Sequence, residues 1–369
     1  WAELRCIGRV GSDEGDYLTG TFQDITERKQ AEATLRASEQ RYRSVFNTLG
    51  EGIALVDNRG IVLACNPAAE HIIGRSQAEI VGTPAMSHLL QVEDEKGRPI
   101  PYEALPMVTA ILTGEPQRNV VVRASRHDGR RIWLRLNVEP SFTDNAAKAS
   151  AEVVSFADIS EQKLIENVLR DREECRDSLA TFCKRAWHVL EPSQPLRWGW
   201  ALDAICQHLE AVTAGDIRRL IINVPPGLMK SLGACVFWPS WEWGPKGQPN
   251  LKHLAFSYSD KLSTRDNRRC RLLISSVWYR ERWGDVFGLT RDQNEKVNFE
   301  NTKGGWRLAA SIGGAGTGLR ANKVIVDDPV NVKDGNSAPA LIEAQLFTDE
   351  TLPTRLVEPA ESSIVWIMQ

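Results

Sequence analysis

The sequence predicts a multidomain chain: an α+β unit on a five-stranded antiparallel sheet with flanking helices, then an α/β unit on a mainly parallel sheet. Three observations predict it. The first half carries short alternating apolar segments separated by Asn-x-Gly and Asp-Gly turns, the pattern of half-buried antiparallel strands. The second half holds two unbroken apolar runs, one ending in a Pro-Pro-Gly loop and the other in paired carboxylates. Of 12 tryptophans, only Trp1 and Trp133 precede Trp187, so composition changes between the halves. The length of 369 residues allows two or three domains at roughly 100–200 residues each.

A formal charge of −3 argues against a strongly basic nucleic-acid binder. The seven cysteines (6, 65, 175, 183, 206, 235 and 270) never fall as Cys-x-x-Cys. That predicts free thiols in a reducing, cytoplasmic setting and no zinc motif. No apolar run reaches the roughly 18–20 residues of a membrane helix, so no membrane partner is expected. Trp rather than Met at position 1 predicts a fragment.

The elements of the first half follow from an internal repeat. Phe22-Gln-Asp24-Ile25-Thr-Glu27-Arg-Lys29 returns 134 residues later as Phe156-Ala-Asp158-Ile159-Ser-Glu161-Gln-Lys163. A period this long is a domain repeat. Gly52–Asp57 and Ile61–Ala64 read as two strands around Asn58-Arg-Gly60. Asn66 is placed to cap a helix that has Pro67 at its first position. The runs 119–123, 131–137 and 152–156 read as three more strands.

These residues resemble a PAS domain over about residues 37–164, from Arg41-Tyr42-Arg43 through Asp57…Gly60, Asn66…Glu70 and Asp128-Gly129…Trp133 to the closing Asp158-Ile-Ser. The domain division is then 1–30, the tail of a preceding PAS copy; 31–164, a PAS domain; 165–179, a linker or signalling helix; and 180–369, the second unit. The resemblance implies a sensory module that binds a small ligand or dimerises. No ligand is favoured: His71 reads as a partly buried histidine rather than a haem ligand, and nothing near Cys65 resembles a flavin-adduct motif. Spaced apolar residues at Ile25, Leu35 and Val45, and at Ile159, Ile165, Val168 and Leu169, allow a two-helix coiled coil or a simple linker. No histidine-kinase output is recognisable in the sequence.

In the second half, strand Arg218–Val224 runs into Pro225-Pro226-Gly227-Leu-Met229-Lys230-Ser231. Strand, Gly/Pro loop and Lys-Ser at a helix start form a phosphate cradle, with Lys230 for the β/γ-phosphates and the Ser231 hydroxyl for Mg2+. The consensus glycine positions hold Val224 and Met229, and a Met at positive φ costs on the order of 1 kcal/mol. A second strand ends at Asp327-Asp328-Pro329. There Asp327 would hold the metal and Asp328 would orient the attacking water, as in a P-loop NTPase fold. The expected cofactors are ATP and Mg2+.

From about Ala180 to Gln369 the residues resemble the ATPase half of the phage large terminase subunit. The matching motifs include Trp187…Glu191-Pro192, Trp238-Pro-Ser-Trp-Glu-Trp-Gly, Ser257-Tyr-Ser-Asp260 and Leu352-Pro-Thr-Arg. The resemblance implies an ATP-driven motor acting on double-stranded DNA, with a portal/procapsid and a small terminase subunit as partners. The nuclease domain expected after such a half lies outside this sequence. Arg265, Arg268 and Arg269, in the basic stretch 261–282, are candidates for DNA contact or for a charge-stabilising arginine. Arg320, after the glycine run 313–318, is a second arginine candidate. Two functional readings follow: a terminase-like ATPase preceded by a PAS module, or a PAS-based signal-transduction protein whose C-terminal half is an inactive captured or artefactual fragment.

Overall fold

The computed structural model describes residues 1–12, 15–142, 149–312, 318–331 and 334–368, and for 4–12 and 15–22 the backbone alone. The chain divides into two compact units, Trp1–Leu164 and Ile165–Gln369.

The first unit opens with a hairpin of β1 (Ala2–Ser12) and β2 (Gly15–Asp24), a two-stranded sheet of its own. Helix α1 (Thr26–Thr48) follows and buries none of its residues. The main sheet has six antiparallel strands: β3 (Gly52–Asp57), β4 (Val62–Cys65), β5 (Leu90–Glu93), β6 (Gln117–Ser125), β7 (Arg131–Ser141) and β8 (Ala151–Asp158). Their order is β4-β3-β8-β7-β6-β5. The sequence predicts five strands; the sixth, β5, pairs with β6 only at Leu90–Ser125 and Glu93–Arg123. Helices α2 (Pro67–Ile73), α3 (Gln77–Ile80) and α4 (Pro106–Thr113) flank the sheet.

Local chemistry fixes these elements. Asp57 Oδ1 accepts from the amides of Arg59 (2.9 Å) and Ile61 (2.8 Å), and Gly60 supplies φ +82°, which makes the β3–β4 turn. Asn66 caps α2 as expected, accepting from Ala69 N at 2.9 Å with Pro67 at the first position. Its other bonds reach Ile53 N, Phe46 O and Glu51 O, so one buried amide joins the end of α1 to the sheet. Val56, Val122, Ile132, Leu134 and Val138 are fully buried beneath the helices.

The repeat read in the sequence is also a repeat in space. Phe22 pairs with Leu4 in the first hairpin, and Phe156 with Leu136 in the second. Ile25 N donates to Trp1 O at 3.0 Å, and Ile159 N to Trp133 O at 2.8 Å. At each corner an Asp carboxylate accepts from the amide two residues on, Asp24 from Thr26 and Asp158 from Ser160, both at 2.9 Å. The Asp closes the strand and starts the helix in both copies.

Helix α5 (Ser160–Arg176) carries the unit boundary, and α6 (Leu179–Leu190) and α7 (Trp200–Ala214) follow. The second sheet contains β9 (Arg219–Asn223), β10 (His253–Ser257), β11 (Leu289–Asn294), β12 (Asn298–Asn301), β13 (Trp306–Ser311), β14 (Lys323–Asp327) and β15 (Ser363–Met368). In the order β11-β12-β13-β10-β14-β15-β9, every pairing from β13 to β9 is parallel and only the β11 edge is antiparallel. The expected mainly parallel sheet is present. Strands β9 and β14, which carry the two predicted motifs, lie on either side of β15.

After β9 and its loop, a continuous helical run comprises α8 (Lys230–Leu232), a π-helical turn (Gly233–Phe237) and α9 (Trp238–Trp243). It accounts for much of the tryptophan excess. Trp238, Trp241 and Trp243 are buried, and their indole N–H groups donate to Thr213 Oγ1 (2.8 Å), Cys175 O (2.6 Å) and Leu251 O (2.9 Å). Each therefore adds large apolar area while its one polar atom stays satisfied. The remaining helices are α10 (Asp260–Ser275), α11 (Val277–Trp283) and α12 (Ala338–Leu346).

Candidate functional site

In the second unit the C-terminal ends of β9, β10 and β14 open on one cleft of about 480 Å3. Open α/β sheets bind ligands at this edge. Its lining includes Gly227, Lys230, Ser231, Asp266, Asp327 and Asp328. Residues distant in sequence thus meet because parallel strands all end on the same side.

The loop conformation follows the sequence expectation. Gly227 has φ +86° and Met229 φ +54°, so the methionine does occupy the left-handed region. Lys230, only 6% exposed, places Nζ 3.1 Å from Asp328 Oδ1. Asp328 itself sits at φ +47°, its amide donating to Ile367 O at 2.8 Å. Burial pushes the Asp327 carboxyl up to about 6, against the lowering effect of a hydrogen bond from Ser231. The other Asp327 oxygen, Oδ1, is buried without a partner.

The donor set fits a magnesium–phosphate group. A hydroxyl and a carboxylate, the pair named for Mg2+ from the sequence, touch each other, and an ammonium stands beside them. Pro226 and Gly227 line the cleft, whereas Pro225 does not.

The arginine candidates separate. Arg265 and Arg269 line the cleft; Arg265 Nε bonds Asp266 Oδ1 at 2.8 Å, and Arg269 pairs with Glu191. Arg268 is exposed on α10. Arg320 is exposed and is not among the lining residues, and most of the glycine run before it, 313–317, lies outside the described residues. Two further arginines of the basic stretch serve the fold: Arg282 donates to buried Asp171 at 2.6 Å, and Arg280 to carbonyls at Phe287 and Gly284. Sequence reasoning missed Asp266 and Cys235, which close the floor beside Asp327. Asp266 lies far from both motifs along the chain, and Cys235, four residues past Ser231, belongs to no phosphate-loop pattern, so no spacing rule finds either.

In the first unit an apolar cavity of about 70 Å3 lies between the sheet and the helices, lined by Val56, Cys65, Ile80, Met107, Val122 and Phe156 among others. His88 also lines it, 1% exposed, with ring nitrogens 2.8 Å from Thr83 Oγ1 and 3.3 Å from Arg75 Nη1. Burial, then Arg75, holds this imidazole below its ordinary value. His71, expected to be partly buried, is instead exposed on α2 and lines a separate outer groove. The six cysteines whose side chains are described are buried free thiols. Among the described residues no helix is long and apolar enough to cross a membrane.

A six-stranded antiparallel sheet with helices over an apolar pocket and an Asp-closed exit corner defines the class of the first unit. Residues 40–147 match the family described as PAS fold, and the unit carries a PAS domain. The chain is 30% identical over 156 residues to the sensor protein FixL of Bradyrhizobium diazoefficiens, covering 39% of this chain and 29% of that protein. It is 29% identical over 161 residues to sporulation kinase E of Bacillus subtilis, covering 42% of this chain and 19% of that one. The chain thus spans under a third of the length of either relative. A PAS domain from Colwellia psychrerythraea aligns at 19% identity with a TM-score of 0.27, covering 34% of this chain and 98% of that one.

Proposed function

We propose that the chain is a signal-transduction protein whose input element is its PAS domain. The observation that carries this reading is the PAS match at residues 40–147, in company with relatives named as a sensor protein and a kinase. Of the two functional readings drawn from the sequence, these comparisons favour the signalling one. Helix α1 supports it physically. Leu35, Tyr42 and Val45 are all exposed, at 71%, 74% and 55%. Their spacing of seven and three residues is that of a heptad seam, the pattern by which helices self-associate. Sedimentation velocity of the full chain tests it. A dimer is expected, and Leu35→Glu should weaken it at least ~10-fold, the loss of one buried leucine. Identical profiles for both proteins contradict the seam.

A second reading concerns the second unit and rests on the gathering of Lys230, Ser231, Asp327 and Asp328 in one cleft. It binds a nucleoside triphosphate with Mg2+ on a P-loop NTPase fold. Bound Mg2+ supplies charge neutralisation of the phosphates. Lys230 exchanges its contact with Asp328 for a phosphate, and the Asp328 carboxylate orients water. Arg265 and Arg269 line this cleft and Arg320 does not. The terminase-like motor, with double-stranded DNA, portal/procapsid and small subunit as partners, rests on the sequence resemblance alone. ATP turnover by the full chain distinguishes a working unit from an inactive one. Turnover lost in Lys230→Ala supports the ATPase; none in the parent chain supports the inactive half; turnover persisting in Lys230→Ala refutes the role given to Lys230.

A further inference from the structure

We propose that Cys235, Asp266 and Asp327 form a binding site for a thiophilic divalent cation of the zinc class. One ligand atom from each lies within 4.8 Å of the others. The three come from the π-helical turn after α8, from α10 and from the end of β14, and are only 3%, 4% and 7% exposed. Two observations independent of this clustering point to a ligand. Asp327 Oδ1 is buried without a partner, and so is Ser257 Oγ, on a residue 2% exposed. Ser257 stands in register with Asp327 on the neighbouring strand, and both line the cleft together with Asp266. Buried polar atoms without partners are uncommon and call for an explanation; a cation at this spot provides one.

The donor types decide which cation. Mg2+ takes oxygen ligands in near-octahedral geometry, whereas a thiolate selects softer ions such as Zn2+, Co2+ or Cd2+. Three protein ligands with a fourth position open to the cleft is the arrangement of a reactive rather than a closed structural zinc site. Tetrahedral bonds of about 2.0–2.3 Å place ligand atoms roughly 3.3–3.8 Å apart, a spacing that atoms lying within 4.8 Å of one another reach by a small closure.

The charges also balance. Cys235 gives up its thiol proton to solvent, and the resulting thiolate with two carboxylates exceeds the cation by one negative charge. Arg265, bound to both Asp266 oxygens at 2.8 and 3.1 Å, offsets it, and each oxygen retains a lone pair. Buried Arg307 donates to Cys235 O at 2.5 Å and keeps Nε and Nη1 without partners; burial, then Asp327 and Asp266, hold the free thiol well above its ordinary value, so the cation itself must displace the proton.

The site shares Asp327 with the nucleotide reading but does not depend on it. Titration of the nucleotide-free full chain with Co2+ alone tests the proposal by absorption. One equivalent should raise a thiolate-to-cobalt charge-transfer band in the near ultraviolet. Cys235→Ser should abolish it; Cys183→Ser, at another buried thiol, and Lys230→Ala should leave it intact. Asp266→Asn provides a second probe should Cys235→Ser fail to fold, and should weaken Co2+ binding at least tenfold. No band in the parent chain, a band unchanged in Cys235→Ser, or unaltered affinity in Asp266→Asn overturns the proposal. Loss of ATP turnover in Lys230→Ala with the cobalt band retained separates this site from the nucleotide reading.

Discussion

Glu152 lies on β8 with no exposed surface, and neither of its carboxylate oxygens has a partner. Burial alone raises it from its ordinary 4.5 to about 7. The folded state therefore holds this proton more tightly than the unfolded chain does. Its contribution to stability is present in full below about pH 4.5 and is lost as pH rises towards about 7. Over that window the loss approaches ~1.4 kcal/mol per pH unit. Thermal melts of the full chain followed between pH 5 and 8 should show the first unit weakening as pH rises, and Glu152→Gln should flatten that slope. An equal slope in both proteins contradicts the assignment. Nothing in the sequence marks this residue, because an alternating strand gives every second position to the core regardless of what occupies it. Met229 was legible for the opposite reason: its place between Gly227 and Lys230 in a phosphate-loop pattern calls for positive φ, and φ is +54°.

The elements legible in the sequence are those specified by local chemistry. The Asp57–Gly60 turn, the Asn66 cap and the two Asp-closed corners each rest on bonds within a few residues. The parallel strands β9 and β14 were legible as unbroken apolar runs, and they end within a residue of the expected limits. Strand β5 was not. Leu90 to Glu93 hold no buried residue and owe their extended form to pairing with β6, a tertiary cause. The helix leaving the Asp158 corner, whose spaced apolar residues begin at Ile159, was legible too, and it runs from Ser160 to Arg176. The floor of the cleft was illegible because α10 reaches it only through the folding of the sheet, and the seam on α1 takes in Tyr42, which the spaced apolar residues Leu35 and Val45 do not by themselves reveal.

At the scale of the molecule, the change in tryptophan content marks a real division, for the two compact units meet at Leu164 and Ile165. The tryptophans follow the second unit because its central helical run is packed with indoles whose N–H groups find carbonyl or hydroxyl partners. The first unit fills its core with Val, Ile and Leu instead and leaves a small apolar space beside His88. A sensory module works by changing its occupancy or its association, so the signalling account requires the PAS domain to do one or the other. Native mass spectrometry of the full chain reads both in one spectrum. The account predicts a mass of two chains, or of one chain carrying a small bound molecule. A spectrum of bare single chains at every concentration would contradict it.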